Sequence, residues 1–244
     1  MHDDDIPMKS VSGRGFRRGV SKSGCLIVLA IGVVLFLLAG MCDFGMPFGG
    51  KKWAYKSAAS CAAQLAKCYH CYCFTDPEAR VITTKAAGGT VNGFALVLAA
   101  HGGMNMADLW FIKRDQALEN VNTWPLQVAD IADPKHPVIE PLFVVAKPKS
   151  WAVVVDMPDP KTLESRASTY PVIWTRGLGP AGWKKDSPYQ GEGGHVAYLD
   201  GHVVWYDKTT DDNGAGVFKD YRTGEPTSDI RQAIGPGAKV LEDE

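Results

Sequence analysis

Neither sign of charge dominates this chain: across 244 residues, 26 Lys and Arg stand against 27 Asp and Glu. A formal charge of -1 leaves no global field to draw nucleic acid, so that class of partner is set aside. The sequence also lacks a G-x-S-x-G elbow, a phosphate-binding Gly-rich loop and an H-E-x-x-H helix. Those absences remove the usual footholds of nucleophilic, nucleotide-dependent and zinc-protease chemistry. The run "GEGGH" at 191–195 is rich in glycine, but it follows "DSPYQ" and opens a strand pattern, so it aims no helix N–H groups at a phosphate. No internal repeat is present, and no pair of carboxylates is nominated for catalysis. The expectation is a protein that is not an enzyme.

The stretch "CLIVLAIGVVLFLLAGM", Cys25 to Met41, is strongly apolar and carries no charge. As a helix its seventeen residues span about 25 Å at roughly 1.5 Å per residue, near the shorter limit for a membrane crossing. Lys9, Arg14, Arg17, Arg18 and Lys22 precede it, so the positive-inside rule keeps residues 1–24 cytoplasmic and exports the chain beyond Met41. A retained single-pass anchor in an inner membrane is the reading adopted. A cleaved signal has the same layout, and acylation of Cys42 is the third alternative, but both would set Met41 where a small residue belongs. Gly45, Pro47, Gly49 and Gly50 then break the helix at 42–50.

The remaining residues, 51–244, read as one exported α+β domain. "KKWAYKSAASCAAQLAKCYHCYCF" predicts an amphipathic helix, with Trp53, Ala58, Cys61, Leu65, Cys68 and Tyr72 forming one apolar stripe. A strand is expected at Val81–Thr84, a helix at Phe94–Ala100 stopped by Gly102 and Gly103, and a strand in "DLWFIK". Five further β segments come after these: "PLFVVAK", "SWAVVVDM", "YPVIWTR", "GHVAYL" and "HVVWYD". "PTSDIRQAIGPG" closes the chain as a short helix capped by Thr227 or Ser228 and ended by Gly235. Helices first and strands later imply helices packed on one face of an antiparallel sheet.

Three clusters could carry chemistry. In "GGHVAYLDGHVVWYD", Asp200-Gly201 predicts a two-residue hairpin turn, which sets His195 opposite Tyr206 and Leu199 opposite His202. His195 and His202 then share a face about 13 Å apart at roughly 3.3 Å per residue, too far to share a metal ion. "CAAQLAKCYHCYC" gathers Cys61, Cys68, His70, Cys71 and Cys73; free thiols, one bridge among Cys68, Cys71 and Cys73 or their neighbours, and a soft metal site all remain open. "YDKTTDDNGAG" brings together Asp207, Asp211, Asp212 and Asn213, as either a calcium loop without EF-hand spacing or a solvated turn. No other cofactor is expected.

The run "YPVIWTRGL…WKKDSPYQGEGGHVAYLDGHVVWYD" resembles the C-terminal region of type II secretion pseudopilins and related prepilin-like proteins of the planctomycete and verrucomicrobial type. Asp200, Gly201, His202 and Val203 match that family's terminal hairpin; Gln190 stands where the family has a histidine, and His195 is the nearest one. The resemblance implies a pilin-like fold and cleavage by a prepilin peptidase between Gly24 and Cys25. It also implies partners among other pseudopilin or pilin subunits, bundled through the apolar helix, where Ala30, Gly32, Ala39 and Gly40 permit close approach. Leu29 occupies the position of the family's glutamate, which points to a minor rather than a major subunit. The alternative is a membrane-tethered periplasmic binding module that does not polymerise.

Overall fold

The computed structural model describes residues 50–75, 81–133 and 135–243. The expectations for the basic leader, Gly24 and Cys25, the apolar run 25–41 and the break up to Gly49 lie outside the described residues. Among the described residues no helix is long and apolar enough to cross a membrane.

Helix α1 runs from Gly50 to Thr75, as its alanine content and its lack of internal Pro and Gly after Gly50 dictate. Its buried residues are Ala58, Ala62, Leu65, Ala66, Cys68, Tyr69 and Cys73. This stripe is rotated from the expected one, since Cys61 and Tyr72 are only partly buried. The reason is close approach: fully buried Ala62 and Ala66 let the helix axis sit near the sheet, which larger side chains at those positions would prevent. Helix α2 spans Val91–His101, capped by Thr90, whose Oγ1 accepts from Gly93 N at 3.0 Å. Gly102 N returns to Leu98 O at 2.8 Å, and Gly103 comes next at φ +70°. The cap adds three residues ahead of the expected start at Phe94, because it satisfies an otherwise orphaned amide.

Three expected strands take other forms. Val81–Thr84 is not a strand: Ile82 O accepts from Asp156 N, Thr84 N donates to Asp156, and the chain turns at once. "DLWFIK" gives a 3₁₀ turn, Ala107–Trp110, that buries Leu109 and Trp110. "PLFVVAK" gives helix α3, Pro141–Val145, with Pro141 in the first turn and Phe143 as its buried residue, a position for which the fixed φ of proline is suited. A brief helix α4 (Pro160–Leu163) is capped by Asp159.

The main sheet holds β1 (Trp151–Val155), β2 (Pro171–Thr175), β3 (Gly194–Tyr198), β4 (Val203–Tyr206) and β5 (Lys239–Leu241). Their order is β5-β1-β2-β3-β4, antiparallel throughout. The four predicted strands form a meander, and β5 returns from the C-terminus to cover the edge of β1. Every residue of the central strands β1, β2 and β3 is buried, so these three are covered on both faces, while β4 is only partly buried. Helix α1 lies against β2, β3 and β4. Helix α5 (Ile230–Ile234) packs near β2. Its cap is Asp229, whose Oδ1 accepts from Arg231 N at 2.9 Å; Thr227 instead takes Asp229 N and donates to Gln232.

Edge-on aromatic contacts tie the layers together. Tyr69 of α1 meets Phe94 of α2 at 5.1 Å, Phe94 meets Trp110 at 6.2 Å, and Trp110 meets Phe143 at 6.3 Å. Each pair adds about 1 kcal/mol beyond the burial of its area.

Candidate functional site

The hairpin between β3 and β4 differs from its expected register by one residue. Gly201 N bonds to Tyr198 O at 2.8 Å, and Tyr198 N bonds to His202 O at 3.0 Å. The loop is thus three residues, Leu199-Asp200-Gly201, and Gly201 alone supplies the positive φ, at +87°. This is a turn ending in a left-handed glycine, which also favours an Asp-Gly sequence. His195 consequently pairs with Trp205 and Ala197 with Val203.

A slip of one residue exchanges the two faces, so His195 and His202 do not share a face as expected. His195 is 3% exposed, beneath the rings of Tyr189 and Trp205 at 5.7 and 4.9 Å. Its amide donates to Thr175 Oγ1 at 3.0 Å. His202 lies outside, stacked on Tyr198 with 4.4 Å between centroids and 4° between planes. Its Nδ1 is 2.6 Å from Asp200 Oδ1, which also accepts His202 N at 3.1 Å. Asp200, Gly201 and His202 thus form a self-bonded turn. Tyr198 OH meets Tyr206 OH at 2.8 Å, and burial, then that contact, raises the Tyr198 phenol well above its ordinary pKa.

The four described cysteines, Cys61, Cys68, Cys71 and Cys73, form no disulfide with one another. Cys68 Sγ donates to Gly102 O at 3.1 Å, and burial, then neighbouring Cys71, pushes its pKa up to about 12. Burial also raises Cys73. Thiols held protonated are poor nucleophiles and poor metal ligands at neutral pH. His70 faces Phe74 at 4.5 Å.

In the acidic loop Asp211 Oδ1 accepts from Asn213 N and Ala215 N, both at 2.9 Å. Lys208 Nζ sits 3.0 Å from Asp212 Oδ1, and that carboxylate raises the lysine pKa. These oxygens close a turn and hold an ammonium. Asp207 is exposed beside them. Among the described residues no three His, Cys, Asp or Glu side chains are grouped to hold a metal ion.

Two buried charge groups went unread in the sequence. Arg176, just after β2, bonds in a fork to Asp115: Nη2 to Oδ1 at 2.7 Å and Nε to Oδ2 at 3.3 Å. Ser150 Oγ donates to Asp115 Oδ2 at 3.1 Å and accepts Ile112 N at 2.8 Å. Lys149, fully buried, donates to Ala146 O at 2.7 Å and lies 4.5 Å from the Phe143 ring and 3.9 Å from Asp243. Burial lowers its pKa to about 8 against the pull of Asp243. Both groups fasten the segment before β1 to later parts of the chain.

The fold defines an α+β protein built on an antiparallel sheet, with a long helix against it. Comparison with family models, with curated proteins and with solved structures finds no match in any of the three.

Proposed function

We propose that the chain is a non-enzymatic, pseudopilin-like subunit, of the minor kind, in a type II secretion or type IV pilus-like assembly of the inner membrane. The observation that carries this reading is the placement of α1. The helix begins at Gly50, just after the apolar run in the sequence, and lies against the β2-β3-β4 meander. A membrane helix that leads into such a layer couples a sheet domain to whatever the apolar segment bundles with. The hairpin Asp200-Gly201-His202 adds support, since its turn is self-bonded and needs no ligand. Partners on this reading are sister subunits and a prepilin peptidase, and the α+β domain faces the periplasm or the exterior.

The test is the intact mass of the full chain after expression beside a prepilin peptidase. Removal of residues 1–24, leaving Cys25 first, is the expected result. A chain that keeps its leader in the presence of active peptidase would instead describe a tethered binding module outside any fibre.

A further inference from the structure

Two open cavities adjoin the turn after Phe218–Lys219. The first, about 270 Å³, is lined by Arg166, Lys219 and Tyr221; the second, about 330 Å³, by Arg222, Arg231 and Gln232. Asp220 lines both. Arg166, Lys219, Arg222 and Arg231 are exposed, and among the described residues none of them has a carboxylate within ion-pair distance. Four unpaired cations around one carboxylate are a local concentration in a chain whose net charge is -1.

The surround is built rather than loose. Arg166 Nη1 donates to Tyr221 O at 2.5 Å, and its guanidinium lies 5.7 Å from the Tyr221 ring. Asp220 Oδ1 accepts the amides of Arg222 at 2.7 Å and Thr223 at 2.9 Å. The Thr223 amide first, then that of Arg222, holds the carboxyl below its ordinary pKa, so the shared wall carries a fixed hydrogen-bond acceptor. Tyr170, which also lines the first cavity, is anchored through its hydroxyl to Ile234 O at 2.9 Å.

We propose that these two cavities bind an acidic glycan, with one sugar carboxylate at Arg222 and Arg231, a second at Arg166 and Lys219, and sugar hydroxyls donating to Asp220 between them. Guanidinium forks match planar carboxylates. An unbroken anion such as polyphosphate would set charge against Asp220, and polyglutamate carries no hydroxyl between its carboxylates to donate to it. A uronate chain alternates the two groups as the wall requires. The assignment stands apart from the assembly role, because it concerns a surface of the sheet domain and needs no processing of the leader.

The test uses the full chain in a neutral detergent, with calorimetric titration of a defined oligogalacturonate at low and high salt. Saturable binding is expected, weakened about tenfold by Arg222→Gln with Arg231→Gln and more mildly by Lys219→Gln. Unchanged unfolding midpoints for these exposed sites would show that the folds are intact. The paired variant Lys85→Gln with Lys184→Gln should bind as the parent does, and a fully methyl-esterified oligomer should not bind. The proposal is overturned if oligogalacturonate does not bind, if the control pair weakens it equally, or if polyglutamate or polyphosphate binds as tightly.

Discussion

Lys149 and Lys147 stand two residues apart in "AKPKS", yet one is fully buried and the other exposed. For Lys149 the direction of the pH effect comes from its lowered pKa of about 8 against 10.5 for an ordinary lysine. Below pH 8 folded and unfolded chains both hold the proton, and the folded form bears the full cost of a buried charge. Between pH 8 and 10.5 the folded chain has released it while the unfolded chain has not, so this residue's contribution to stability rises, by on the order of 3 kcal/mol. Cys68 and Cys73 act in the opposite sense: their raised folded pKa values sustain stability up to about pH 9 and lose it above. Lys149→Met should therefore match or exceed the parent at pH 7, and its advantage should shrink steadily toward pH 10.5. Urea unfolding at several pH values measures this difference; a gap that stays constant with pH would contradict the assignment. Neither this lysine nor the Asp115–Arg176 fork was legible in sequence, because each is defined by partners far along the chain.

At the scale of elements, the hairpin was read correctly as a hairpin and wrongly as a two-residue turn. Asp-Gly serves both turn types, and only the ladder bonds of Tyr198 distinguish them. Gly201 is the conformational requirement, at φ +87°. A Cβ there would also meet Lys67 Cγ at 2.5 Å, though that flexible side chain can move aside. Gly201→Ala should cost about 1 kcal/mol through backbone strain, and hydrogen exchange should quicken at the amides of Tyr198 and Gly201 before it does in β1. Equal protection in both proteins would remove the positive-φ argument. Two of the three segments misread as strands share one cause. "DLWFIK" and "PLFVVAK" are short apolar runs whose period cannot separate strand from helix, and burial of Trp110 and Phe143 against neighbouring rings decided their form.

On the scale of the whole molecule, the C-terminus closes the fold. Strand β5 pairs Lys239, Val240 and Leu241 with Val155, Val154 and Val153. Glu242 accepts the amide of Gly177, and Asp243 Oδ2 accepts that of Lys149 at 3.1 Å. Deleting residues 239–244 would bare the edge of β1 and strip Lys149 of its carboxylate. The unfolding free energy should fall by at least about 3 kcal/mol, and light scattering should show self-association through the unpaired strand. A monomer with the parent midpoint would mean that the edge is protected otherwise. Local periodicity and turn chemistry, which operate within a dozen residues, already mark the helix 51–74, four of the sheet's strands and the α+β class, while the order of those strands is a tertiary outcome. Tertiary structure alone decided the register of the hairpin, the faces of His195 and His202, the return of β5 and the two buried charge groups. Their energies arise between residues up to 94 positions apart, as in Lys149 and Asp243, where no local pattern records them.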